Sequence, residues 1–132
     1  MSYQRETRKV VVEVAPFFLQ EGSQPEDDVF LWAYHVSITN QRNHPIHLHH
    51  RHWYITDASG EIQEVQGKGV VGEQPVILPD RTYEYASGVA LKTPSGMMYG
   101  TYLMKSPETG EELVVDIPAF SLDSPFEQGV VH

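Results

Sequence analysis

The chain has no cysteine, which excludes disulfides, thiolate metal sites and cysteine nucleophiles and is compatible with a reducing compartment. It also has no uninterrupted apolar run near the roughly 18 residues that a membrane helix needs. The opening Met1-Ser2-Tyr3-Gln4-Arg5-Glu6-Thr7-Arg8-Lys9 carries basic residues, but no apolar segment of signal-peptide length follows it. A soluble, unprocessed, cytoplasmic protein without membrane association is the expectation. Positive charge is scarce: 9 Lys and Arg stand against 18 Asp and Glu, for a formal net charge of -9, and residues 106–132 hold no Lys or Arg. Such a balance repels phosphate backbones, so nucleic acid is not an expected partner. No G-x-S-x-G elbow, P-loop ending in Gly-Lys-Ser/Thr, or H-E-x-x-H helix occurs. Binding without a cofactor, rather than catalysis, is therefore expected.

Helical periodicity is almost missing as well, and period-two patterns between turn residues take its place. Val10, Val12 and Val14 alternate in a first strand running toward Phe17, Phe18 and Leu19, and a polar loop over 20–28 follows. Phe30, Trp32, Tyr34, Val36 and Ile38 then share one face of a long strand, with His35, Ser37 and Thr39 on the other. The turn Gln41-Arg42-Asn43-His44-Pro45 leads to a strand over 46–56, and its shortness predicts an antiparallel hairpin. Asp57-Ala58-Ser59-Gly60 reverses the chain into a short strand of Ile62 and Val65, which completes a three-strand meander. Further strands are predicted over 82–93, with Ser87-Gly88 as a bulge, over 97–105 and over 112–122. At 132 residues, the chain suits a single domain, residues 1–132 with a core over about 8–125, folded as an all-β antiparallel sandwich of about seven strands. The tail from Asp123 is expected to be mobile unless Phe126 docks.

Gly67-Lys68-Gly69-Val70-Val71-Gly72-Glu73-Gln74-Pro75 spells G-x-G-x-x-G without the context of a nucleotide fingerprint. That fingerprint needs a helix opening behind the glycines, whereas Pro75 and Pro79 forbid one here. The segment is a loop between strands. Its glycines serve either tight turns or an anion nest, in which Gly67, Lys68, Gly69 and Gly72 would receive a pyrophosphate-bearing nucleotide.

Five histidines, His44, His47, His49, His50 and His52, fall within nine positions ahead of Trp53. On a strand, His47 and His49 project together while Ile46 and Leu48 oppose them, giving either a polar outward face or half of a divalent metal site. Nothing in the sequence identifies itself as the remaining ligands. Trp53 and Tyr54 read as core or edge packing, with ligand stacking as the alternative. Tyr83, Tyr85, Tyr99, Tyr102, Met97, Met98 and Met104 crowd the last hairpins, as core residues or, where exposed, as partner-recognition residues.

Arg51-His52-Trp53, the glycine segment through Gln74-Pro75, Ser87-Gly88, Thr93-Pro94-Ser95-Gly96-Met97-Met98 with Gly100 and Tyr102, and Ile117-Pro118-Ala119-Phe120 occur in that order. In this the chain resembles the ApaG family over approximately residues 8–125. The resemblance implies a fibronectin type III-like or immunoglobulin-like sandwich in a bacterial protein. It also implies a gene near that of a diadenosine tetraphosphate hydrolase, and a link to cobalt resistance and magnesium homeostasis. Related domains in eukaryotic F-box and polymerase-interacting proteins look like partner-binding modules. The family's glycine loop falls on Gly67, Gly69 and Gly72, the histidines at 47, 49 and 50 lie outside its pattern, and it brings no catalytic residues. The resulting expectation is a non-enzymatic module that binds a protein partner, with Trp53 and Tyr102 as contact residues and with homodimerisation through an edge strand open. A pyrophosphate sensor or a weak metal binder through His47 and His49 are the alternatives.

Overall fold

Alternation of buried and half-buried residues is unbroken along Phe30–Asn40, as expected of a strand with one face on a core. The computed structural model describes residues 1–126 and places that strand, β3, inside a sandwich of two antiparallel sheets. In chain order the others are β1 (Tyr3–Thr7), β2 (Val10–Phe18), β4 (Ile46–Asp57), β5 (Ile62–Lys68), β6 (Val76–Ile77), β7 (Thr82–Leu91), β8 (Ser95–Lys105) and β9 (Glu112–Asp123). One sheet runs β1-β2-β3-β7 and the other β5-β4-β8-β9, with β6 continuing the β5 side of β4. The remaining element is a 3-10 turn at Pro25–Asp27. No helix among the described residues is long and apolar enough to cross a membrane.

All seven expected strands are present, joined by β1 and the two-residue β6. The β3–β4 hairpin and the meander built on it are not. β3 pairs with β2 and β7, whereas β4 pairs with β5, β6 and β8, so residues 41–45 carry the chain from one sheet to the other. Asn40 explains why so short a link can do this. Its fully buried side chain donates to the carbonyls of His44 and Ile77, 2.9 Å each, and accepts from the Arg42 amide at 2.9 Å. The backbone polar groups that the crossing would strand in the core are thereby satisfied.

The bulge expected at Ser87-Gly88 is also absent, β7 keeping continuous register with β3 from Thr82↔Thr39 to Leu91↔Phe30. Irregularities lie elsewhere. Register slips between Leu48 and His50 on β4, leaving His49 as the extra residue, and Pro118-Ala119 oppose the single residue Tyr99 where β9 meets β8. Each slip reverses which parity faces inward. Ile46 and Leu48 are buried before the first slip, Trp53 and Ile55 after it. Likewise Leu113, Val115 and Ile117 give way to Phe120 and Leu122 on β9. Phe126 docks edge-on near Phe18 and Phe30, at ring separations of 6.0 and 6.2 Å. The rest of the expected mobile tail, 127–132, lies outside the described residues.

Candidate functional site

The glycine segment is a hairpin. Val70 and Glu73 exchange both backbone hydrogen bonds, at 2.8 and 2.9 Å, across Val71 and Gly72, which have φ of 41° and 81°. Positive φ at both central positions is the mark of a type I′ turn. Gly69 is required sterically, since a Cβ there would lie 1.9 Å from the Glu73 carbonyl oxygen. Its amide donates to the His49 carbonyl at 2.9 Å. The amides of Gly69, Val70 and Glu73 are thus engaged within the fold. The carbonyls of Lys68 and Gly69 instead accept from Nη1 of Arg51, at 3.1 and 2.9 Å. Gly67 faces that guanidinium, which a Cβ would approach to 2.8 Å. Lys68 is exposed in β5 opposite His50.

His47 and His49 do share the outer side of β4, with ring centroids 4.3 Å apart. Nε2 of His47 lies 3.0 Å from the Gln74 carbonyl, so it is the protonated nitrogen and donates there. Partial desolvation, then the neighbouring His47 and Lys105, hold His49 below the usual imidazole range. No cluster of three or more His, Cys, Asp or Glu with metal-binding geometry occurs among the described residues.

Trp53 and Tyr102 both lie inside the sandwich, at 3% and 0% exposure. Expected as partner-contact residues, both have their side chains in the core and leave almost no surface for a partner. The His49 slip turns Trp53 inward against Tyr34, 5.4 Å away, and Phe120, 6.0 Å away. The Tyr102 hydroxyl meets that of Tyr85, and burial pushes both phenols up. Truncating a buried tryptophan costs about 3–5 kcal/mol, so Trp53→Ala would report on stability.

The exposed aromatic surface lies on the other side of the same sheet. Register sets Tyr54 beside Tyr99, and the two rings stack at 5.1 Å and 14°. His52 stacks on Tyr54 at 4.6 Å and bonds Glu64 at 2.6 Å. Met97, Leu103 and Val114 continue this face at 42%, 36% and 59% exposure. A shallow hollow of about 280 Å³ beside the stack is bordered by Arg5, Thr101, Asp116 and Ala119. Tyr99 was legible as one of a crowded set of aromatics. Only the register showed which of them face out.

The family profile described as the ApaG domain matches residues 20–106. The chain belongs to the ApaG family. Protein ApaG of Paramagnetospirillum magneticum is 53% identical over 126 residues, covering 96% of each chain. That of Parvibaculum lavamentivorans is 48% identical over 130 residues, covering 98% of this chain and 99% of its own. A Bordetella pertussis structure solved under the name ApaA superposes with a TM-score of 0.84 at 43% identity, over 88% of this chain and 94% of that one. The C-terminal domain of wzt, at 7% identity and a TM-score of 0.56 over 93% of this chain and 77% of that one, shares the fold alone. The family thus agrees with the two-sheet architecture.

Proposed function

We propose that the protein is a non-enzymatic binding module that presents the outer face of β4, β8 and β9 to a protein partner in the cytoplasm. The observation that carries this reading is the stack of the exposed Tyr99 on the half-buried Tyr54, continued by the exposed Met97, Leu103 and Val114. Aromatic residues and methionine are enriched at interfaces, and a stacked pair is already ordered before a partner arrives. In this reading the effects on cobalt resistance, magnesium homeostasis and diadenosine polyphosphate metabolism implied by the family resemblance run through that partner.

The test is capture from native lysate by the tagged wild-type protein and by a Tyr99→Glu, Leu103→Glu variant that retains the wild-type melting temperature. A partner held by the wild type should be lost or weakened at least tenfold by the variant, the equivalent of about 1.4 kcal/mol. Equal capture by both proteins, or none above background by either, would overturn the proposal.

A further inference from the structure

The sandwich has a cleft between its edge strands β5 and β7. It is lined by Tyr34, Arg51, Trp53, Val65, Ser87 and Val89 among others, with a volume of about 140 Å³. Arg51 occupies an inner-facing position only because of the extra residue at His49, which puts it in parity with Trp53 and Ile55. Gly67 opposite gives its guanidinium room. Two carbonyls hold Nη1, but Nε and Nη2 have no acceptor and Arg51 has no acidic partner among the described residues. A half-buried guanidinium fixed by one nitrogen presents its other two N–H groups along one edge, the geometry that receives a carboxylate through two parallel bonds.

The remaining lining is largely apolar, apart from the Tyr34 and Ser87 hydroxyls. An apolar cavity of about 150 Å³ accommodates benzene, so this cleft has room for one ring or a branched aliphatic group. A single fixed cation suits a monoanion, while a chain of formal net charge -9 disfavours a polyphosphate. We propose that the β5–β7 cleft binds a monocarboxylate borne on an aromatic or branched aliphatic group, with the carboxylate on Arg51 and the apolar group against Trp53, Val65 and Val89. This site is separate from the outer sheet face and stands or falls independently of it.

Phenylacetate and its neutral isostere phenylacetamide are the probes, titrated into ¹⁵N-labelled protein and followed by NMR. Phenylacetate should give saturable shifts at the Ser87 and Gly88 amides and at the Arg51 Nε, and phenylacetamide should bind at least tenfold more weakly. Arg51→Gln, which keeps a donor for the Lys68 and Gly69 carbonyls, should erase that preference. Val65→Phe, which fills the cleft from an edge strand and leaves Arg51 in place, should abolish phenylacetate binding and decides the matter if Arg51→Gln does not fold. A short peptide ending in Phe, with a free or amidated C-terminus, separates the two sources of the same chemistry. Tenfold tighter binding of the free-acid peptide than of phenylacetate assigns a protein C-terminus, and equal or weaker binding assigns a free organic acid. No saturable shift at Ser87 and Gly88, equal binding of acid and amide, or an undiminished acid preference in Arg51→Gln would overturn the proposal.

Discussion

A buried hydroxyl is tolerable only with a partner, and Tyr85 and Tyr102 solve this for each other across the two sheets. Tyr102→Phe leaves the Tyr85 hydroxyl without its partner, and such a loss costs about 1–3 kcal/mol. Removing both hydroxyls restores an apolar match, so the Tyr85→Phe, Tyr102→Phe variant should be destabilised by less than the sum of the single changes. Chemical denaturation of the four proteins measures the coupling, and strict additivity would show the pair to be independent. The same hydroxyls set a pH limit. Their folded pKa values are raised by burial, so the native state retains protons that the unfolded chain releases above about pH 10. Their stabilising contribution is therefore complete below pH 10 and is lost as pH rises beyond it. The double Phe variant should show a flatter decline of stability in that range.

At the level of the hairpin, one residue is out of character. Val71 holds a φ of 41° while 56% exposed, a conformation that a β-branched side chain resists. Val71→Gly should raise stability by roughly 1 kcal/mol, since left-handed backbone costs L-residues about that much. Gly69→Ala should destabilise by more, because its Cβ has no space beside the Glu73 carbonyl. Thermal melts compare the two, and a fall in melting temperature for Val71→Gly would contradict this account of the turn. The contrast shows what the sequence made legible. Glycines followed by prolines announced a loop between strands, whereas the hairpin depends on Val70 meeting Glu73, which periodicity does not encode. β1 was hidden for a related reason: its turn with β2 uses Arg8 and Lys9 at φ of 50° and 68°, with no Gly or Asn to mark it, and its residues are mostly polar. At His49 a period-two pattern persists on both sides of an added residue. Nothing in the pattern announced that Arg51 would turn inward, and the 36 positions separating it from Ser87 gave no hint that two sheets would bring them to one cleft.

Across the whole molecule, the two open edges of the sandwich are treated differently. On the β1–β9 side, Tyr3 packs on Phe120 at 6.0 Å, Arg5 pairs with Asp116 at 3.0 Å, and the Asp116 amide donates to the Thr7 hydroxyl at 3.1 Å. Arg8 and Arg42 both reach Glu111 at one end of this side, tying the β1–β2 turn and the β3–β4 crossing to the β8–β9 turn. The exposed pairs of Arg5 and Arg8 add little individually, about 0–1 kcal/mol, so the ring packing, the hydrogen bond and the less exposed Arg42–Glu111 pair carry this closure. On the opposite side no hydrogen bond joins β5 to β7 among the described residues, and β5 is mostly exposed. Strands with few buried contacts open at free energies below that of global unfolding. Native-state hydrogen exchange should therefore find β5 amides opening well before those of β3 and β8. Deleting residues 1–7 should cost roughly 2–3 kcal/mol, the combined scale of one partly buried aromatic side chain and one hydrogen bond. It should also speed exchange in β9 while leaving β5 unchanged. Such a result would locate the molecule's give beside the Arg51 cleft, where a ligand can enter without breaking the core. Protection of β5 equal to that of β8 would mean instead that the β5–β7 side is held as firmly as the side β1 closes.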